Sequence, residues 1–156
     1  MQVKKVMSKE VITVRRSTTL KQLLEIFAKF HIFPLVPVVE KNNHLVGVVS
    51  FRNLVNAFQL RKSDMLKTVP FLDEEEEDIF KVDFTEETGS LVMAEDIMER
   101  KFIAIQEDAS LEEVYKLMKL HLKEEFPVVD KTEKLLGMIG IFDIVRHVFR
   151  QKGLTK

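Results

Sequence analysis

Two short motifs in this chain place oxygen-bearing side chains where a sugar diol and a phosphate could be held. Ser50 is followed three residues later by Asn53, and Gly140 is followed three residues later by Asp143. Each motif closes a short apolar run with a glycine inside it, Leu45 to Val49 around Gly47 and Leu135 to Ile139 around Gly137. Apolar residues at helical spacing follow each motif, so each reads as a strand running into the start of a helix. Such a junction offers unpaired backbone N–H groups beside a short polar side chain, which suits a phosphate. A carboxylate can accept two hydrogen bonds from a cis-diol, and an amide oxygen can accept one. Asn and Asp also cap helices well, so a purely local role stands beside the ligand role at both positions.

The elements that must position these residues occur twice. Residues 3–59 read strand, helix, strand, strand, helix, and residues 94–150 restate that order at an offset of 91, becoming 90 from Pro127 onward. Val11-Ile12-Thr13-Val14 is the first strand candidate. Thr19-Leu20-Lys21-Gln22 and Ser110-Leu111-Glu112-Glu113 are capping boxes, each opening a helix. Leu20, Leu23, Leu24, Phe27 and Phe30 make one apolar face of the first of these. Pro34 and Pro37 stop it, and Val38-Val39 begins a hairpin through Lys41 to His44. The expected fold class is α+β with α/β-type repeats, two pseudo-twofold-related β-α-β-β-α units packed sheet to sheet. A cleft between the repeats is the expected ligand site. The domains are then 1–59, an acidic insertion or linker at 60–93, the second repeat at 94–150 and a C-terminal tail at 151–156.

Composition narrows the function classes. The chain has 156 residues, 46% apolar and 31% charged, with no cysteine, which fits a folded protein of a reducing cytoplasm. No stretch approaches the ~20 apolar residues of a membrane span. Residues 61–92 carry ten acidic and four basic side chains, so the remainder is mildly basic, compatible with a small anion and too weak to argue for nucleic acid. The run Asp73 to Asp78 reads as a solvated insertion whose removal the fold should survive. His31, His44, His121 and His147 lack metal-ligand spacing, and no nucleophile, base and orienter stand together, so neither a metal site nor an enzyme is expected. Arg146, Arg150 and Lys152 read as a basic helix end favoured by the dipole.

The two repeats resemble a pair of cystathionine-beta-synthase (CBS) domains. The likeness rests on the early Val-Met or Ile-Met, the Val-Ile-Thr-Val strand, the capped helix, the Pro-Val-Val strand and a Gly-x-x-Thr/Ser-x-x-Asp/Asn signature. Residues 47–53 fit that signature fully, whereas residues 137–143 have Gly140 in place of the hydroxyl. The resemblance implies a regulatory, energy-sensing module that binds AMP, ADP, ATP or S-adenosylmethionine, with no catalytic cofactor, and modulates an unidentified partner protein. It implies that Ser50 contacts phosphate, that Asn53 and Asp143 hold ribose, and that Gly140 offers phosphate only its backbone N–H. Thr13 and Ala104 would flank adenine, with Ile12, Ile103, Pro37 and Pro127 among the ligand-binding positions. It also implies a homodimer, paired through Phe51, Leu54, Phe58, Ile141, Ile144 and Val148. The alternative is a homodimeric scaffold or interaction module without ligand.

Overall fold

The computed structural model describes residues 1–30, 35–57 and 86–156. In chain order these form α1 (Leu20–Ala28), β1 (Val36–Val39), β2 (Leu45–Val49), α2 (residues 51–57), α3 (Glu86–Leu91), α4 (Ala94–Ile97), β3 (Ile105–Gln106), α5 (Leu111–His121), β4 (Glu125–Val129), β5 (Leu135–Gly140) and α6 (Ile141–Gln151). Strands β1 and β2 pair as one sheet, and β3-β4-β5 make another, with β3 parallel to β4 and β4 antiparallel to β5. The fold is α+β with two small sheets.

Both capping boxes form as the sequence predicts. Thr19 N donates to Gln22 Oε1 at 3.0 Å while Gln22 N donates to Thr19 Oγ1 at 3.3 Å. At the start of α5, Ser110 N donates to Glu113 Oε2 at 3.0 Å and Glu113 N donates to Ser110 Oγ at 3.2 Å. Each box satisfies two donors that a helix start otherwise leaves bare. Leu20, Leu23 and Phe27 are buried on one side of α1, but Phe30 lies beyond the helix end and is 39% exposed. The expected strand at Val11 to Val14 is a single parallel bridge, Val14 to Val38, with Val14 N donating to Pro37 O at 3.0 Å.

The chain divides into two compact units that are not the two sequence repeats. One comprises Met1–Thr13, Val39–Gly47 and Lys101–Lys156, the other Val14–Val38 and Val48–Arg100. In the first unit the N-terminal segment lies on elements of the second repeat: Gln2 bridges Ser110 and Ser8 bridges Met138. Ser8 and Met138 exchange both backbone hydrogen bonds at 2.9 Å, and Val3 is fully buried among Ile105, Leu111, Val114, Met118, Phe126, Val128, Ile139 and Ile144. The second unit repeats the device one copy along: Thr19 bridges Met93 and Val48 bridges Glu99. Each lead-in segment therefore completes the unit of the other repeat.

The crossing of the N-terminal segment over β5 explains Gly137. A Cβ there would run into the backbone oxygen of Ser8 and meet Met7 Sδ at 3.0 Å. Glycine allows that close approach within a strand. The hairpin turns use different means: Asn42 and Asn43 adopt φ of 61° and 63°, a region asparagine tolerates, and Asn43 Nδ2 donates to Leu135 O at 2.7 Å. In the second hairpin Asp130 Oδ1 accepts from Thr132 N at 2.8 Å, Thr132 Oγ1 at 2.7 Å and Lys134 N at 3.1 Å. The Thr132 hydroxyl, followed by the backbone donors, holds the Asp130 carboxyl below its ordinary range.

Candidate functional site

The two strand-to-helix junctions close in related ways. Where β2 runs into α2, Ser50 N donates to Asn53 Oδ1 at 2.7 Å, and the Ser50 hydroxyl donates to the same oxygen at 2.9 Å. Asn53 N returns a longer bond to Ser50 Oγ at 3.4 Å. Where β5 runs into α6, Gly140 N donates to Asp143 Oδ2 at 2.8 Å. Thus the Gly140 N–H expected to face a phosphate is already committed, as is that of Ser50. The physical reason is the helix start itself, because a side-chain oxygen at the third helical position reaches back to the capping residue's own donor. Asp143 keeps Oδ1 for another partner, and both Asn53 and Asp143 are half-buried. A Cβ on Gly140 would meet only ordinary contacts, Asp143 Oδ2 at 3.5 Å and Glu124 O at 3.7 Å, so crowding does not exclude a serine there.

Asp143 is one wall of a hollow of about 150 Å³ whose other walls are Lys5, Val6, Arg146, His147 and Arg150. On α6 the positions 143, 146, 147 and 150 fall at spacings of three and four, so they share one helix face. Three full cations surround one carboxylate. Spacing alone could have found Arg146, His147 and Arg150, whereas Lys5 needs the N-terminal segment's long-range placement.

The other expected ligand residues are placed variously. Ala104 and Ile103 are half-buried; Ala104 packs against the cluster Val39, Leu45, Val129 and Leu135, and Ile103 against the main core of its unit. Ala104 also lines a separate apolar hollow of about 480 Å³ with Ile105, Leu117 and Leu120, which shares no lining residue with the hollow at Asp143. Pro127 is buried in β4 opposite Met138, and Pro37 is buried in β1. Ile12 is 48% exposed and Thr13 is exposed. Of the expected pairing residues, Leu54 and Ile144 are 2% and 7% exposed and belong to the interior, so they cannot present a pairing face. Phe51, Phe142, Val148 and Phe149 are the apolar residues that α2 and α6 leave exposed among the described residues. Phe58 and the acidic run Asp73 to Asp78 lie outside the described residues.

Residues 3–60 and 94–150 each match the CBS domain family. The chain is a tandem CBS-domain protein. A CBS domain-containing protein of Dictyostelium discoideum is 29% identical over 143 residues, which cover 92% of this chain and 88% of that one. Inosine-5'-monophosphate dehydrogenase of Aquifex aeolicus is 28% identical over 136 residues, 87% of this chain. The chain spans only 22% of that enzyme's length. Among solved structures, CBSX2 in complex with AMP superposes with a TM-score of 0.73 at 22% identity, covering 97% of this chain and 98% of that one. The CBS domain pair of protein MJ0100, in complex with 5'-methylthioadenosine and S-adenosyl-L-methionine, gives 0.66 at 22% identity with coverages of 97% and 98%. At those identities the CBS pair shares a fold with these structures. Among the described residues no helix is long and apolar enough to cross a membrane, and no group of three or more His, Asp or Glu side chains could hold a metal ion.

Proposed function

We propose that this CBS pair is a regulatory, energy-sensing module of the cytoplasm that binds an adenosine-containing ligand, AMP, ADP, ATP or S-adenosylmethionine, and modulates a partner protein. The observation that carries the reading is Asp143, whose carboxylate spends one oxygen on the Gly140 N–H and turns its environment toward a cationic hollow. A ribose diol on Oδ1 would leave the phosphate on the cationic side of that carboxylate. In the first repeat Asn53 would hold the ribose through its amide and Ser50 would meet the phosphate through its hydroxyl. Thr13 and Ala104 would flank adenine, with Ile12, Ile103, Pro37 and Pro127 among the ligand-binding positions. The solved relatives that hold AMP, 5'-methylthioadenosine or S-adenosyl-L-methionine support this ligand class. The match to a stretch of a much longer dehydrogenase supports a module that accompanies catalytic machinery rather than catalysis by the pair. Thermal unfolding with AMP, ATP and S-adenosylmethionine tests it: a ligand at ~100 times its dissociation constant adds ~2.7 kcal/mol. A melting temperature unmoved by all three would overturn the reading.

A second reading, a homodimeric scaffold, is favoured by one observation. Phe142, Val148 and Phe149 on α6 are 58%, 37% and 44% exposed, a cluster of apolar side chains a monomer would leave in water. Sedimentation at micromolar concentration distinguishes the cases, since a lone 18.2 kDa species would exclude the dimer.

A further inference from the structure

The hollow on α6 differs in kind from anything at the matching place in the first repeat. Asp143, Arg146, His147 and Arg150 correspond at an offset of 90 to Asn53, Asn56, Ala57 and Leu60, and Lys5 corresponds at 91 to Asp96. Every cation of the second-repeat hollow is therefore replaced by a neutral or acidic residue in the first. Among the described residues Lys5, Arg146, His147 and Arg150 make no ion pair. A carboxylate three or four residues away can pair an arginine on a helix face, and here the nearest such group, Asp143, is bound to a backbone donor. At about 150 Å³ the hollow is well below the ~300 Å³ at which pockets begin to take whole small ligands. It has room for phosphate groups and not for a nucleoside. From Asp143 to Arg150 the helix rises roughly 10 Å, so a ligand anchored by its ribose at the junction would run its tail along the two arginines.

We propose that this hollow seats the di- or triphosphate tail of the nucleotide, so that the second-repeat site selects a nucleoside polyphosphate over the monophosphate while the first-repeat site does not. The proposal rests on the adenosine-ligand reading above. Arg146 and Arg150 supply planar forks matched to phosphate oxygens, and Lys5 adds a point charge from the opposite wall.

The test is calorimetric titration of adenosine, AMP, ATP and inorganic tripolyphosphate into the parent protein and the Arg146→Ala/Arg150→Ala double variant. Both arginines are exposed, so the fold should survive their loss, and a Lys29→Ala/Lys131→Ala variant controls for general charge. The expected result is ATP bound at least about tenfold tighter than AMP at one site per chain, the size of one charge-assisted hydrogen bond. The arginine variant should lose that preference, with adenosine unchanged and AMP weakened less than ATP, and the lysine control should keep it. Equal affinity of the parent for ATP and AMP, or a preference that survives loss of both arginines, overturns the proposal and leaves the adenosine reading intact. Tripolyphosphate binding that the arginine variant loses, with no nucleoside bound, overturns the adenosine reading and the nucleotide tail together, leaving a bare polyphosphate site. No binding of any of the four overturns both.

Discussion

Replacing Asp143 by alanine removes two things at once, and the matching junction shows how to separate them. The first is the bond from Gly140 N to Oδ2 at 2.8 Å, which leaves a half-buried donor at the start of α6 without its partner. A hydrogen bond to a charged group contributes ~1.5–3 kcal/mol at most and a neutral one ~0.5–1.5. Since this junction is partly wet, a loss of about 1–2 kcal/mol is expected, a fall of roughly 2–8 °C in melting temperature for a chain of this size. The second is the proposed ribose contact, whose loss should weaken adenosine and AMP alike by about 1.5–3 kcal/mol. Asp143→Asn dissects these, because Asn53 already does the capping job with an amide oxygen at 2.7 Å. The asparagine variant should melt within ~0.5–1 kcal/mol of the parent, losing only the charge-dipole part, yet bind adenosine more weakly. Denaturation midpoints and calorimetric titrations of the three proteins form the assay. If Asp143→Ala melts lower but binds adenosine and AMP like the parent, the carboxylate is a cap and the ribose reasoning is refuted. If Asp143→Asn is as unstable as Asp143→Ala, the capping argument fails instead.

Ser50→Ala should reduce affinity for phosphorylated ligands at the first-repeat site and leave adenosine nearly unchanged; equal losses for both in titration would remove the phosphate role. Gly137→Ala should destabilise by about 2–3 kcal/mol, at the upper end for overpacking because the obstacle is the Ser8 backbone, and an unchanged urea midpoint would contradict the crossing described here. Asp130 is held ionised by Thr132, so its native pKa lies below the unfolded one; its stabilisation is full above the unfolded value and disappears as pH falls through the native one. Accordingly Asp130→Ala should melt lower than the parent at neutral pH, with the gap narrowing as pH falls below the ordinary carboxylate value and smallest once pH is below the lowered native one. Deleting Asp73 to Asp78 should leave a soluble folded protein by circular dichroism, since adjacent like charges repel.

Both capping boxes and the two strand-to-helix junctions were legible because each is written in residues within four positions of one another, and the repeat because its motifs recur at an offset of 90–91. Thr19 and Gln22, or Ser110 and Glu113, need no tertiary information to find each other. At the junctions the sequence left capping and ligand contact side by side for Asn53 and Asp143, and the structure shows the capping bonds to the Ser50 and Gly140 N–H groups. Arg146 and Arg150 read as a basic helix end in the sequence, yet they stand three and seven residues from Asp143, on its own face. The partner of Val14, the role of Lys5 and the inward placement of Leu54 and Ile144 depend on contacts tens of residues apart, which periodicity does not encode.

The exchange of lead-in segments fixes the order in which this protein can become itself during synthesis. The unit built on α1 needs the pairing of Val48 with Glu99, so it cannot close until the segment around Glu99 has been made. Its companion needs Ser8 against Met138, so an early segment must wait for one about 130 residues further along the chain. Contacts this distant in sequence carry a large loop-closure cost before any burial rewards them, and they slow folding. Because each unit takes segments from both copies of the repeat, damage to one copy is felt in both units.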